Sequence, residues 1–352
     1  MTQGLAIGMA QAVEALSRFC AGKRHIALVT DGAAYALCGA EQVMGDFFKS
    51  HDNLRLSHLV VPGANPKVEL VEALLAKLSD DVDGFIAVGG GTTIDTTKLL
   101  NLAVVARKNV KELLLSKDAP DKLLPFMAMP TTAGTGAEAT RFAVCYDGDV
   151  KHSIDFAAIR PSDVALIPEF THSLPQYQTA STGFDAYAQA VESLWANGAT
   201  AESRSHARHA LEYLQSLEEA VFHPTPAARK AMLQGSYWAG RAIDLSRTTA
   251  AHAFSYYMTS KYGIPHGHAV AMMFPYILKA NAEAIAAILE INPDQITALL
   301  KRLEAAGLET LANFTVRMGL EWDVLVDDLF AHVNLKRLGN NPCAVSKQNF
   351  QR

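Results

Sequence analysis

Two rhythms of apolar residues divide the chain. In the first half, short apolar runs end in turn residues: HIALVTD (25–31), LRLSHLVV (54–61), GFIAVGGG (84–91) and PFMAMPTT (125–132). Runs of this length, closed by Gly, Asp, Pro or Thr, predict strands buried on both faces. Between them, PKVELVEALLAKLS (66–79) and IDTTKLLNLAVVA (94–106) carry the 3.6-residue period of helices. Strands alternating with helices predict a parallel sheet covered on both sides. After about residue 176 the rhythm changes. Long Ala/Leu/Glu-rich segments at 177–196, 199–221, 226–245, 266–281 and 293–306 predict helices, and no strand is expected there.

Size agrees with this division, since 352 residues exceed what one core usually serves. The change of character falls in IPEFTHSLP (167–175), and the expected domains are residues 1–172 and 173–352. A formal charge of −5, from 31 basic and 36 acidic residues, predicts neither a nucleic-acid nor an anionic-membrane partner. The cysteines Cys20, Cys38, Cys145 and Cys343 are scattered and form no CxxC pair, as expected of a reducing compartment. The opening segment MTQGLAIGMAQAVEALSRFC lacks a basic stretch and carries Glu14, so no signal peptide is expected. The apolar stretch 84–106 is broken by Asp95, Lys98 and three glycines, a poor membrane helix. A cytoplasmic protein is the expectation.

Candidate chemistry begins at GFIAVGGGTTIDTTK (84–98), which places Gly89, Gly90 and Gly91 between a strand and a helix. Glycines let a backbone approach a ligand closely, and a helix N-terminus offers free N–H groups to a pyrophosphate. The pattern is neither GxGxxG nor a P-loop, and a tight βα turn explains it equally. A second small-residue loop, PTTAGTGAEAT (130–140), also follows a strand; two such loops in one sheet point to a ligand crevice. Asp31 closes the first strand, where an acid can accept ribose hydroxyls and favour NAD over NADP. A plain turn Asp fits that position as well.

The second half offers a different set. In TASTGFDAYAQAVESLW (179–195), Asp185 and Gln189 share a helix face, and a carboxylate among apolar neighbours needs a partner. HAFSYYMTSKYGIPHGHAVA (252–271) adds His252, His266 and His268. One carboxylate with imidazoles from separate helices makes an ordinary shell for a divalent ion. Hydrogen-bonded core histidines would look the same.

GGGTTIDTTK, PTTAGTGAEAT, STGFDAYAQAVES and HAFSYYMTSKYGIPHGHAVA, in this order and spacing, resemble the iron-containing (group III) alcohol dehydrogenases. The resemblance covers nearly the whole chain. It implies a Rossmann-like α/β dinucleotide-binding domain followed by an all-α domain, with NAD(P) and a divalent metal, Zn or Fe, in the cleft between them. Carried over, the metal ligands fall on Asp185, His252 and His266, with Gln189 where the family has a histidine. Gly89, Gly90, Gly91 and Thr92 take the pyrophosphate, with Asp95 and Lys98 in the same motif. Thr131, Thr132 and Thr135 line the nicotinamide side, and Asp31 matches the family's NAD-selecting acid. Where many members carry a relay histidine this chain has Tyr256, so Tyr256 or His268 is the expected proton path.

Gln189, SYYMTSKYGIPHGHAVA and NLKRLGNNP (334–342) resemble a branch that includes phosphonoacetaldehyde reductases and 3-deoxy-octulosonate 8-oxidase. That branch implies a small, polar, anionic substrate. Lys151, placed with the cofactor-binding residues, joins Arg247, Lys261, Lys336 and Arg337 as cations able to hold such an anion. The competing readings are a glycerol dehydrogenase or 3-dehydroquinate synthase-like enzyme, and a nucleotide-binding relative without catalysis. A homodimer is expected on base rate alone.

Overall fold

A computed structural model describes residues 3–63, 65–116, 118–148, 150–288 and 290–351. The chain forms two compact units, one of residues 1–132 and 137–174, the other of 133–136 and 175–352. The division falls at 174/175 rather than 172/173. Ile167 and Phe170, each 1% exposed, still belong to the core of the first unit.

The first unit is a six-stranded parallel sheet with a hairpin. Its strands are β1 (Gly4–Ile7), β2 (His25–Asp31), β3 (Arg55–Val61), β4 (Gly84–Gly89), β5 (Phe126–Pro130) and β8 (Asp163–Leu166), in the order β1-β8-β5-β4-β2-β3. The antiparallel hairpin joins β6 (Phe142–Asp147) to β7 (Val150–Asp155). The four strands expected from the apolar runs are β2 to β5. Of the others, β1 and β8 are four residues long and β7 carries few buried residues, while β6, apolar and partly buried, lies outside the expected runs as well.

Alternation within the central strands feeds two cores. Ala27, Val29, Phe85, Ala87, Phe126 and Ala128 pack on one face with Leu99 and Leu102. Ile26, Leu28, Ile86, Val88, Met127 and Met129 pack on the other with Leu16 and Met44. A sheet buried on both faces explains why these strands read as continuous apolar runs. From β2 the chain runs outward to β3, then returns to β4 on the other side of β2 and continues through β5 to β8. The switch point therefore lies between β2 and β4, at Asp31 and the glycine triplet.

The second unit is helical. Its central helix, Gln176–Trp195, is buried around most of its circumference, including Asp185, Gln189 and Glu192. A helix buried on all sides belongs at the centre of a bundle. The helices Ala201–Leu214, Pro226–Ser246 and His266–Ala280 pack against it. The helix expected over 199–221 is broken at Gln215 and Ser216, where Leu217–Phe222 starts afresh. Among the described residues no helix is long and apolar enough to cross a membrane.

Candidate metal centre and nucleotide loop

Three elements of the helical unit bring the metal-type donors together. Asp185 lies midway along Gln176–Trp195, and His252 lies in the first turn of Ala250–Tyr262. Gly263, left-handed at φ 67°, ends that second helix, and Pro265 precedes His266 at the start of His266–Ala280. This short reversal folds His266 back onto His252, with ring centroids 5.4 Å apart.

Asp185 Oδ1 lies 3.1 Å from His252 Nε2 and 3.8 Å from His266 Nε2. One ligand atom from each of the three residues falls within 4.8 Å of the others. Two ligands on a tetrahedral ion stand about 3.3 Å apart, so the set is of the right size. The side chains of Asp185 and His252 are 3% exposed and that of His266 31%, so the cluster is closed on one side and open on the other.

Gln189 stands one turn beyond Asp185 on the same helix face. Its Nε2 donates to the Thr135 carbonyl at 3.4 Å, while its Oε1 is buried with no hydrogen-bond partner. A buried carbonyl oxygen without a donor is costly, and a cation beside it would repay that cost. One carboxylate, two imidazoles and this amide oxygen fit a divalent ion.

Glu192, three residues further along that helix, is the residue the sequence reading missed. It is fully buried and accepts His252 Nδ1–H at 2.5 Å. Burial opposes charge on His252, but Glu192, aided by Asp185, outweighs it and raises His252 to about 10. The signal was available: Asp185, Gln189 and Glu192 are spaced i, i+4, i+7, one polar stripe on a helix of small and apolar residues.

His268 does not join the cluster. Two residues beyond His266 on one helix, it points about 200° away. Its Nδ1 lies 2.9 Å from the Tyr177 hydroxyl and its Nε2 donates to the Glu309 carbonyl at 3.0 Å. Burial lowers its pKa. Tyr256, by contrast, stacks on His266 with centroids 5.8 Å apart.

In the sheet unit, the register brings the nucleotide-type residues to one end of the strands. Thr30 pairs with Val88, and Gly89 with Pro130, so Asp31, Gly90 and Thr131 are neighbours. A Cβ on Gly89 would lie 2.5 Å from Thr93 Oγ1, so only glycine fits there. Gly90 precedes the Gly91–Ala106 helix, whose first turn has no side-chain cap. Asp31 Oδ1 accepts Tyr35 N–H at 2.9 Å as a helix cap, and burial raises its pKa against backbone bonds that include Gly90.

Other expected members sit differently. Lys98 is wholly buried, and its ammonium donates to the Phe142 carbonyl at 2.6 Å and Thr140 Oγ1 at 3.2 Å, with Asp95 Oδ1 at 3.3 Å. Asp95 Oδ2 accepts Val144 N–H at 3.0 Å. Both residues bond to the segment after the second loop. Thr92 Oγ1 accepts Asn65 N–H at 3.3 Å. Thr131 is buried and Thr132 half-buried in the sheet unit, while Thr135 belongs to the helical unit. Lys151 lies half-buried on β7; burial raises the Asp95 pKa, opposed first by Lys98 and least by Lys151. Lys261 and Lys336 are exposed, Arg337 is half-buried, and Arg247 takes a left-handed φ of 65° just before the His252 helix.

Comparison with known proteins decides the family. The model of the iron-containing alcohol dehydrogenases matches residues 7–168, and that of the C-terminal part of the Fe-containing family matches residues 179–337. The chain belongs to the iron-containing alcohol dehydrogenase family. This family member is 33% identical over 225 residues to the probable alcohol dehydrogenase EutG of Escherichia coli K12, across 62% of this chain and 57% of EutG. It is 31% identical over 264 residues to long-chain-alcohol dehydrogenase 1 of Geobacillus thermodenitrificans, across 73% of this chain and 66% of that one. The chain thus matches less than two thirds of the length of either relative. The crystal structure of sulfoacetaldehyde reductase from Bifidobacterium kashiwanohense with NAD+ superimposes with a TM-score of 0.85 at 27% identity, covering 99% of this chain and 94% of that one. The iron-containing alcohol dehydrogenase of Thermotoga maritima shares the fold, with a TM-score of 0.83 at 24% identity over 99% of this chain and 96% of that one. These matches favour the alcohol dehydrogenases over the glycerol dehydrogenase and dehydroquinate synthase readings.

Proposed function

We propose that this iron-containing alcohol dehydrogenase relative is a metal-dependent, NAD-linked oxidoreductase that interconverts an alcohol and an aldehyde on a small, polar, anionic substrate. The observation that carries the reading is the cluster of Asp185, His252 and His266 beside the unpartnered Gln189 Oε1. These four side chains would hold the ion. When bound, a divalent ion acts there as a Lewis acid toward the substrate oxygen. NAD supplies hydride transfer, and the protein supplies orientation and exclusion of water.

The residues of the sheet unit serve the cofactor. Gly89, Gly90, Gly91 and Thr92 offer the uncapped helix start to the pyrophosphate. Asp31, at the end of β2 beside Gly90, is the proposed acceptor of ribose hydroxyls and disfavours a 2′-phosphate. Thr131 and Thr132 would line the nicotinamide side, and Asp95 and Lys98 hold the surrounding segment in place. In the helical unit, Tyr256 Oη carries the proton, since His268 is bonded elsewhere.

Support for an anionic substrate comes from the branch resemblance and from a solved relative named a sulfoacetaldehyde reductase. Arg247, just before the His252 helix in the unit that holds the metal-type cluster, is the proposed anion-binding cation. The test is elemental analysis of wild type and His266→Ala, followed by assays of NADH oxidation with phosphonoacetaldehyde and neutral aldehydes of similar size and of NAD+ reduction with 3-deoxy-octulosonate. Stoichiometric Zn or Fe lost in the variant, with turnover only on anionic substrates, is expected. Absence of bound metal after loading sinks the metal-dependent reading; equal turnover of neutral aldehydes sinks the substrate class.

A further inference from the structure

We infer that Glu192 is a positioning residue for the metal centre: it holds the His252 ring by Nδ1 so that Nε2 faces Asp185. The inference rests on reading Asp185, His252 and His266 as metal ligands.

Glu192 accepts four hydrogen bonds. Oε2 takes His252 Nδ1–H at 2.5 Å and Thr249 N–H at 3.1 Å. Oε1 takes the Thr249 hydroxyl at 2.8 Å and Ala251 N–H at 3.0 Å. An ionised carboxylate can only accept, and these bonds use its four lone-pair sites. The His252 proton on that side is therefore on Nδ1, which leaves Nε2 as the lone-pair nitrogen once the ion is bound. Nε2 is the atom 3.1 Å from Asp185 Oδ1. The carboxylate itself is held by the first turn of the His252 helix, whose positive dipole end favours it. Trp195 Nε1–H donates to Thr249 Oγ1 at 2.9 Å and so fixes the hydroxyl that donates to Glu192.

A helix cap alone does not account for Glu192. Ser, Thr or Asn would cap that turn without burying a charge, and a wholly buried carboxylate is costly unless matched. The match lies in the site. Two carboxylates, Asp185 and Glu192, balance one divalent ion when His252, His266 and Gln189 are neutral. Bonding the far nitrogen of a ligand histidine to a carboxylate fixes its tautomer and strengthens its basicity.

The experiment compares wild type, Glu192→Gln, Glu192→Asp and the cap control Thr249→Ala. Zinc affinity is read by chelator competition, and Co2+ loaded into the site is read by its visible absorption. Glu192→Gln is expected to lose about ten- to a hundredfold in zinc affinity and to shift the Co2+ bands. Glu192→Asp is expected to recover part of both, and Thr249→Ala to lower the melting temperature with the bands unmoved. NAD affinity is expected to stay unchanged in all folded variants. A Glu192→Gln protein with wild-type zinc affinity and Co2+ bands overturns the inference while leaving the metal reading intact. A wild type that binds neither ion overturns the metal reading and the inference with it. Should Glu192→Gln fail to fold, the wild type decides: with 113Cd in the site, coupling to His252 Nε2 supports the inference, and coupling to Nδ1 overturns it.

Discussion

Gly267 stands against the Ser181 carbonyl so closely that a Cβ on it would lie 2.0 Å from that oxygen. The missing side chain lets the His266–Ala280 helix approach Gln176–Trp195, and His266 approach Asp185. Gly267→Ala forces the two helices apart, since backbone cannot yield as a flexible side-chain tip can. A destabilisation of about 1–3 kcal/mol is expected, with loss of bound metal in whatever fraction folds. Urea denaturation and metal analysis check this; a variant with wild-type stability and metal content would show that the contact does not set the spacing.

Gln189 gives a graded test of the donor set. Gln189→Ala removes the amide oxygen and is expected to weaken metal retention by about tenfold, or about 1.4 kcal/mol. Gln189→His places a stronger donor one turn from Asp185 and is expected to tighten it. Competition titration of the three proteins measures the order; identical affinities would remove Gln189 from the ligand set.

The two proton-relay candidates separate cleanly by substitution. Tyr256→Phe keeps the ring stacked on His266 but deletes Oη, and is expected to lower kcat by about a hundredfold. His268→Phe strands the Glu309 carbonyl and the Tyr177 hydroxyl. It is expected to cost about 1–3 kcal/mol of stability, with kcat per bound metal within a few-fold of wild type. The reverse pattern would return the relay to His268.

Glu138 makes stability depend on pH. It is 2% exposed, and burial pushes its carboxyl up to about 7 against Lys98. A carboxyl raised in the folded state holds a proton that the unfolded chain has already released. Stability is therefore lost as pH rises from the ordinary Glu range through about 7. The full loss is on the order of 3 kcal/mol. Glu138→Gln mimics the protonated form, so it is expected to match wild type near pH 5 and exceed it at pH 8. Denaturation curves at both values test the sign; equal stabilities at pH 8 would refute it.

The sequence by itself determined what depends on local periodicity and residue chemistry. β2, β4 and β5 were legible because strands buried on both faces must be apolar throughout, whereas β3, read the same way, proves to be a largely exposed edge strand that still carries an apolar run. The helical half was legible because apolar residues recur at helical spacing. Asp185, His252 and His266 were legible as charged or ligating groups in apolar surroundings, and the order of four motifs pointed to the family. β1 and β8 escaped, being too short to show a period, and in the hairpin β7 carries few buried positions although β6 is apolar and partly buried.

Tertiary structure alone decided which side chains meet. His266 and His268 are indistinguishable by residue type, and only the helix rotation sends one to Asp185 and the other to Glu309. Lys98 and Asp95 lie in a nucleotide-type motif, yet packing turns them inward onto Phe142 and Val144. Glu192 looked like one more polar residue on a helix until the start of another helix closed over it. Proximity between residues 60 apart in sequence comes from how helices pack, and packing depends on shapes such as the absent side chain of Gly267, which no local period records.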